Sequence, residues 1–170
     1  MSDKKEKDDA QSSPNSRPRP TDVETIDSII AAVYEVISGP AGQKRDWERM
    51  RSLFAPGARL LPTAAVPPAD ESFAVQVLDV DGYVARAGNY LEENGFFESE
   101  TARRVETFGH IAHAWSTYES RHKAEEPEPF ARGINSIQLM HDGRRWWLLS
   151  IFWEAETPRT LIPKEYLESL

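Results

Sequence analysis

The 170-residue sequence has no cysteine. Disulfides, thiolate zinc sites and a cysteine nucleophile are therefore excluded. No stretch approaches the ~18 consecutive apolar residues that a membrane span requires, so no membrane partner is expected. The N-terminus lacks the apolar core of a secretory signal, and a cytoplasmic location is the expectation. Glycine-rich phosphate loops, the Gly-x-Ser-x-Gly elbow and His-Glu-x-x-His are all missing, so neither a cofactor nor a metal is implied. Positive charge is in deficit: 20 Lys and Arg stand against 28 Asp and Glu, a net charge of −8. That balance argues against a nucleic-acid partner, which needs a basic surface.

What is present is one domain's worth of apolar periodicity behind a polar tail. Residues 1–20 carry mixed charge and three prolines, with no large apolar side chain after Met1. Such a segment buries too little to offset its ordering entropy, and a disordered tail is expected before a single domain at 21–170. Thr21 and Glu24 have capping-box spacing, and Val23, Ile26, Ile30, Val33, Tyr34 and Ile37 recur at helical spacing until Ser38-Gly39-Pro40. A second helix starts near Asp46, burying Trp47, Met50, Leu53 and Phe54, and Pro56-Gly57 closes it. Arg59–Leu61 reads as a short strand, Pro62–Ser72 as a loop and Phe73–Leu78 as a strand. Asp79 or Asp81 then caps a third helix with Tyr83, Val84, Ala87, Tyr90 and Leu91 on one face, closed by Asn94-Gly95. A meander of long strands follows at Phe96–Phe108, Ile111–His122, Ala131–Met140 and Trp146–Glu154, with one helical turn possible over Pro163–Leu170. Helices segregated to one face of such a sheet define the α+β class.

The last hairpin, Phe130–Glu156, turns at Asp142-Gly143. Its second arm, Trp146–Trp153, is apolar at nearly every position, so both faces must be covered. The sequence leaves open whether Trp146, Leu148, Ser150 and Phe152 or Trp147, Leu149, Ile151 and Trp153 face inward.

The stretches WERMRSLFAPGARL (47–60), FGHIAHAWSTYESR (108–121), RGINSIQLMHDGRRWW (132–147) and SIFWEAETP (150–158) resemble the nuclear-transport-factor-2-like superfamily, in its bacterial SnoaL-like branch. The resemblance implies a cone-shaped fold, with three helices from the N-terminal half on a strongly curved, mainly antiparallel sheet around a cavity. It also implies a homodimer through the outer face of the long strands. It does not choose among the superfamily's isomerases, dehydratases, cyclases, binders of small apolar or aromatic molecules, and interaction modules.

Candidate site residues follow from sidedness. In Ile111–His122 the small even-numbered residues Ala112, Ala114 and Ser116 would leave room for a ligand, with the Tyr118 hydroxyl as a polar contact. Ile111, His113, Trp115 and Thr117 would then face a partner subunit; the opposite assignment is also open. Asn135 is a polar residue within an apolar strand and needs a hydrogen-bond partner. Tyr34, Trp47, Tyr90 and Trp153 could line the pocket, which would be mainly apolar with few polar groups, or serve as core. Enzymes of this superfamily use a buried acid or an acid–histidine pair. From the set His110, His113, Glu119, His122 and Glu154, the candidates are Glu154 and His113. Glu119, Arg121 and Arg132 read as ion-pairing residues at a turn.

Overall fold

The computed structural model describes residues 19–63 and 75–168. Residues 1–18 of the tail expected at 1–20, most of the loop expected at 62–72, the start of the strand expected at 73–78 and the final two residues lie outside that range. The elements are α1 (Ile26–Ile37), α2 (Trp47–Leu53), β1 (Phe54–Pro62), α3 (Val80–Asn94), β2 (Phe97–Phe108), β3 (Ile111–Arg121), β4 (Ala131–His141) and β5 (Trp146–Ala155), with 3-10 turns at Pro20–Asp22 and Lys164–Tyr166. The strands form one sheet in the order β1-β5-β4-β3-β2. Every pairing is antiparallel except β1 with β5, which is parallel. The expected α+β architecture is thus present, with the four long strands within a residue or so of their expected limits.

Local chemistry explains where the helices begin. α1 is capped by Thr25, whose hydroxyl accepts from Ser28 N–H while the Ser28 hydroxyl accepts from Thr25 N–H, each at 3.0 Å. The expected Thr21–Glu24 box is not formed. Thr21 lies inside the 3-10 turn instead, and its neighbour Asp22 takes a charge-assisted fork from Arg49 at 2.8 and 3.0 Å. Asp46 caps α2 through Arg49 N–H, and Asp79 caps α3 through Gly82 N–H. α2 ends at Leu53, short of Pro56-Gly57, because Phe54 already pairs with Leu148. Pro56 is tolerated in β1, which lies at the sheet edge. Of the strand expected at 73–78, Leu78 makes a two-bond bridge to Leu60, while Val75 and Val77 are exposed.

The core lies between α1 and the inner sheet face. Ile29, Ile30, Leu53, Ile137, Leu139 and Leu148 are among its fully buried members. Two bulges decide which residues reach it. In β2, Thr101 is skipped between the Glu100–Tyr118 and Ala102–Thr117 pairs. In β5, Leu149 is skipped between the Leu148–Leu139 and Ser150–Gln138 pairs. Each extra residue reverses the facing of everything beyond it. Neither alternating set of β5 therefore faces inward as a whole: Leu148 comes from one, Ile151 and Trp153 from the other.

Arg45, in the α1–α2 connection, is buried, and among the described residues no carboxylate pairs with its guanidinium. Its Nε donates to Ile37 O (3.0 Å), Nη1 to Gln43 O (2.5 Å) and Pro40 O (3.4 Å), and Nη2 to Gly39 O (2.6 Å) and Leu91 O (3.0 Å). Burial lowers its pKa, with Glu92 opposing. The guanidinium satisfies carbonyls from the end of α1, the loop after it and α3, which no other side chain can do with one planar fork. Arg45→Met and Arg45→Lys are both expected to cost about 3 kcal/mol, because buried carbonyls lose donors. Denaturant unfolding checks this, and a neutral Arg45→Lys would show that the fork geometry is unimportant.

Candidate functional site

The inner sheet face, α1 and α3 border a cavity of about 120 Å³ lined by Tyr34, Tyr83, Glu98, Asn135, Ile151 and Trp153, among others, with Glu98 half-buried in its wall. Tyr34 comes from the buried face of α1 and Tyr83 from α3, where its ring meets Trp153 edge-on at 6.1 Å and 83°. Glu98 comes from β2. The end of α1 fixes its backbone: Ser38 Oγ accepts from Glu98 N–H at 3.0 Å, and Gly39 pairs with Phe96.

Glu98 is the chemical centre of the cavity. Ser120 donates to its Oε2 at 3.0 Å, and Asn135 makes a second side-chain hydrogen bond to its carboxyl. Burial raises the carboxyl from 4.5 to about 7, with the Ser120 and Asn135 bonds pulling the other way. Desolvation wins because few charged groups oppose it there. Tyr83 is pushed up by burial first and by Glu98 second. Tyr34 is pushed up in the same way, with the bonds to Ser116 and Asn135 opposing the rise.

A directed hydrogen-bond chain runs from the cavity into the sheet. Asn135 Nδ2 donates to the Tyr34 oxygen at 2.9 Å, and that hydroxyl lies 2.7 Å from Ser116 Oγ. Ser116 in turn donates to Glu100 Oε1. Glu100 is clamped by Arg103 (Nε to Oε1, 2.8 Å), which also reaches Asp27 on α1. A clamped carboxylate can only accept, so the Ser116 proton points to it. Tyr34 must then donate to Ser116, and its proton points away from the cavity.

The candidates read from the sequence divide between the two faces. Tyr34, Asn135 and Trp153 line the inner cavity, and Ser116 and Tyr118 lie buried on the same face. Tyr118 fills the space over Gly133, where a Cβ would meet its hydroxyl and the Glu154 carbonyl. Trp47 instead packs beneath Gly88 and donates to Glu92 at 2.9 Å. Tyr90 is half exposed and edges onto His122, away from the cavity, since its side of α3 points outward. Glu154 and His113 lie on the outer sheet face, opposite the cavity. Glu154 is exposed beside a hollow of about 250 Å³ under the chain at 156–163, and His113 bonds Ser136 at 3.0 Å.

Glu98 and Tyr83 were not among the sequence candidates. Counting back from the tight turn at Phe108–Ile111 without a bulge sets Glu98 opposite Arg121 on the outer face. With Thr101 skipped, it pairs with Ser120 on the inner face. The available signal was the row Ser116, Tyr118, Ser120, polar residues on a face otherwise buried and in need of partners.

No family model matches this chain, and no curated protein matches it. Among solved structures, it is similar to a protein of unknown function with a cystatin-like fold from Nostoc punctiforme PCC 73102, with TM-score 0.55 and 14% identity over 78% of this chain and 90% of that one. It is also similar to nuclear-transport-factor-2-like proteins of unknown function from Shewanella baltica OS155 (TM-score 0.45, 16% identity, 78% and 98% covered) and Silicibacter pomeroyi DSS-3 (0.44, 17%, 78% and 99%). The fold is the cystatin-like α+β fold, in agreement with the nuclear-transport-factor-2-like resemblance of the sequence.

The raised Glu98 carboxyl has a direct consequence for stability. It binds its proton more tightly in the folded than in the unfolded chain. Its contribution is therefore fully present below the unfolded value near 4.5 and is lost as pH rises to about 7. The loss is at most about 3 kcal/mol. Glu98→Gln removes this dependence, so the variant is expected to be more stable than wild type at pH 8 and similar to it at pH 4.5. Urea unfolding at both values checks the sign, and equal destabilisation of the variant at both would contradict it.

Proposed function

We propose that this domain binds a small, largely apolar molecule in its inner cavity, and that Glu98 exchanges a proton with it. The observation carrying this reading is the Glu98 carboxyl itself. It stands in a cavity walled by Tyr34, Tyr83, Ile151 and Trp153, is held by Ser120 and Asn135, and is shifted to about 7. A carboxyl near working pH is suited to give or take a proton, as an isomerase or dehydratase requires. A cavity without a titratable group would have favoured a passive binder, and one filled by side chains a pure interaction module. The test is retrieval: purified wild type and Glu98→Gln are denatured and the released small molecules identified by mass spectrometry. The wild type is expected to release one dominant compound that the variant releases in smaller amount; identical profiles would overturn the role given to Glu98.

A homodimer through the outer sheet face is part of the same proposal, as is a cytoplasmic setting. Ile111, Trp115 and Phe152 stand exposed there, beside Met140 and Phe108. An apolar row of that length on a sheet face calls for a covering partner. Light scattering at micromolar concentration is expected to give twice the chain mass, and Trp115→Glu to give the monomer. A wild-type monomer would remove the dimer from the proposal.

A further inference from the structure

Each polar group that meets the inner cavity has an oxygen able to accept. Tyr34 has no proton to offer it, because the chain through Ser116 to the Arg103-clamped Glu100 draws that proton away. Asn135 spends its donors on Tyr34 and Glu98. Among the described residues, the Tyr83 hydroxyl makes no hydrogen bond. The remaining group is the Glu98 carboxyl, and among the described residues none that lines the cavity is Lys, Arg or His. Aromatic rings surround these acceptors: Tyr83 and Trp153 meet at 83° to form a corner, with Tyr34 and Phe96 also in the wall. Rings set at right angles beside a carboxylate attract an organic cation through their negative faces. An anionic ligand would meet Glu98 with no compensating charge. The chain's net charge of −8 also concentrates cations around the molecule.

We infer that the cavity takes a small protonated primary amine, whose ammonium donates to Glu98, Tyr83 and the Tyr34 oxygen while its hydrocarbon body rests on Ile37, Ile151 and Trp153. This rests on the reading of the cavity as a ligand pocket with Glu98 at its centre, and it names the chemical class of the ligand. The volume of about 120 Å³ is below the ~150 Å³ that accommodates benzene, so the body holds about four to six non-hydrogen atoms. Three acceptor oxygens match the three donors of a primary ammonium, whereas a neutral alcohol brings one donor.

The test compares isobutylammonium with isobutanol, which share a shape and differ in charge, by calorimetric titration into the full chain. At pH 8 the amine is expected to bind with a dissociation constant of about 1 mM or tighter, at least tenfold below that of the alcohol. The amine needs ionised Glu98. The other titratable groups facing it are Tyr34 on α1, Tyr83 on α3 and Tyr118 on β3, all of which stay neutral in this range because burial raises them. Affinity should therefore fall about tenfold from pH 8 to pH 6, while the alkylamine stays protonated throughout. Glu98→Gln should weaken amine binding at least tenfold and leave the alcohol within twofold; Tyr83→Phe, which leaves Glu98 in place, should weaken the amine several-fold. Equal binding of amine and alcohol, or amine binding indifferent to Glu98→Gln, overturns the inference. So does binding of the alcohol alone, which keeps the pocket and removes the amine. If neither binds and Glu98→Gln also brings no stabilisation at pH 8, the pocket reading falls with it.

Discussion

The site depends on one extra residue. With Thr101 skipped in the β2–β3 ladder, the first half of β2 is turned over and Glu98 and Glu100 point into the domain. A carboxyl directed into an apolar space costs free energy unless it is hydrogen-bonded or protonated. Here it is both bonded, by Ser120 and Asn135, and displaced toward its protonated form. The bulge is held from both sides: Ser38 and Gly39 at the end of α1 grip β2 at Glu98 and Phe96, while Arg103 grips it through Glu100. Arg45 in turn fixes the end of α1 by binding the carbonyls of Ile37 and Gly39. Helix end, bulge and acid therefore form one mechanical unit.

The second bulge, at Leu149, does similar work on the opposite strand. It lets Leu148 fill the core beneath α1 while Ile151 and Trp153 face the cavity. The outer face is organised separately. The C-terminal 3-10 turn lies over β3, where the Tyr166 carbonyl accepts from Thr117 and its ring packs on Trp115. That contact explains why Thr117 is buried on a face where Ile111 and Phe152 are exposed. The larger hollow on this side holds Glu154 and the Arg132-paired Glu156, whereas the acid raised by burial, Glu98, lies across the sheet from it. Size alone does not locate the chemistry.

Much of the fold was legible in the sequence because it rests on local signals. Asp46 and Asp79 act as caps, Gly95 takes a positive φ of 75° at the end of α3, and Asp142-Gly143 turns the last hairpin. The row Ala112, Ala114, Ser116 and Tyr118 was one of two facings the sequence left open, favoured by its small residues, and it is the buried one. What sequence alternation could not supply was register, which tertiary fit decides. A period of two carries no mark of a skipped residue, so the alternation of Phe96–Phe108 does not single out Glu98 as inward, and the two sets of β5 could not be told apart. Similarly, Thr21 and Glu24 had the spacing of a capping box, yet Thr21 lies in a 3-10 turn and the helix is capped by Thr25, while neighbouring Asp22 pairs with Arg49, 27 residues away. Asn135 was recognised as needing a partner; that the partners are Tyr34 and Glu98 depends on three elements meeting.

The fold itself hosts many unrelated activities, so its likeness to known structures leaves function to the cavity. Everything proposed for that cavity rests on Glu98 being enclosed and displaced from the ordinary carboxylate range. The most direct measurement is the titration of its side-chain carboxyl carbon by NMR, with the resonance assigned through its loss in Glu98→Gln. A midpoint near 7 is expected. A midpoint near 4.5 would show a solvated carboxylate and contradict the site as described.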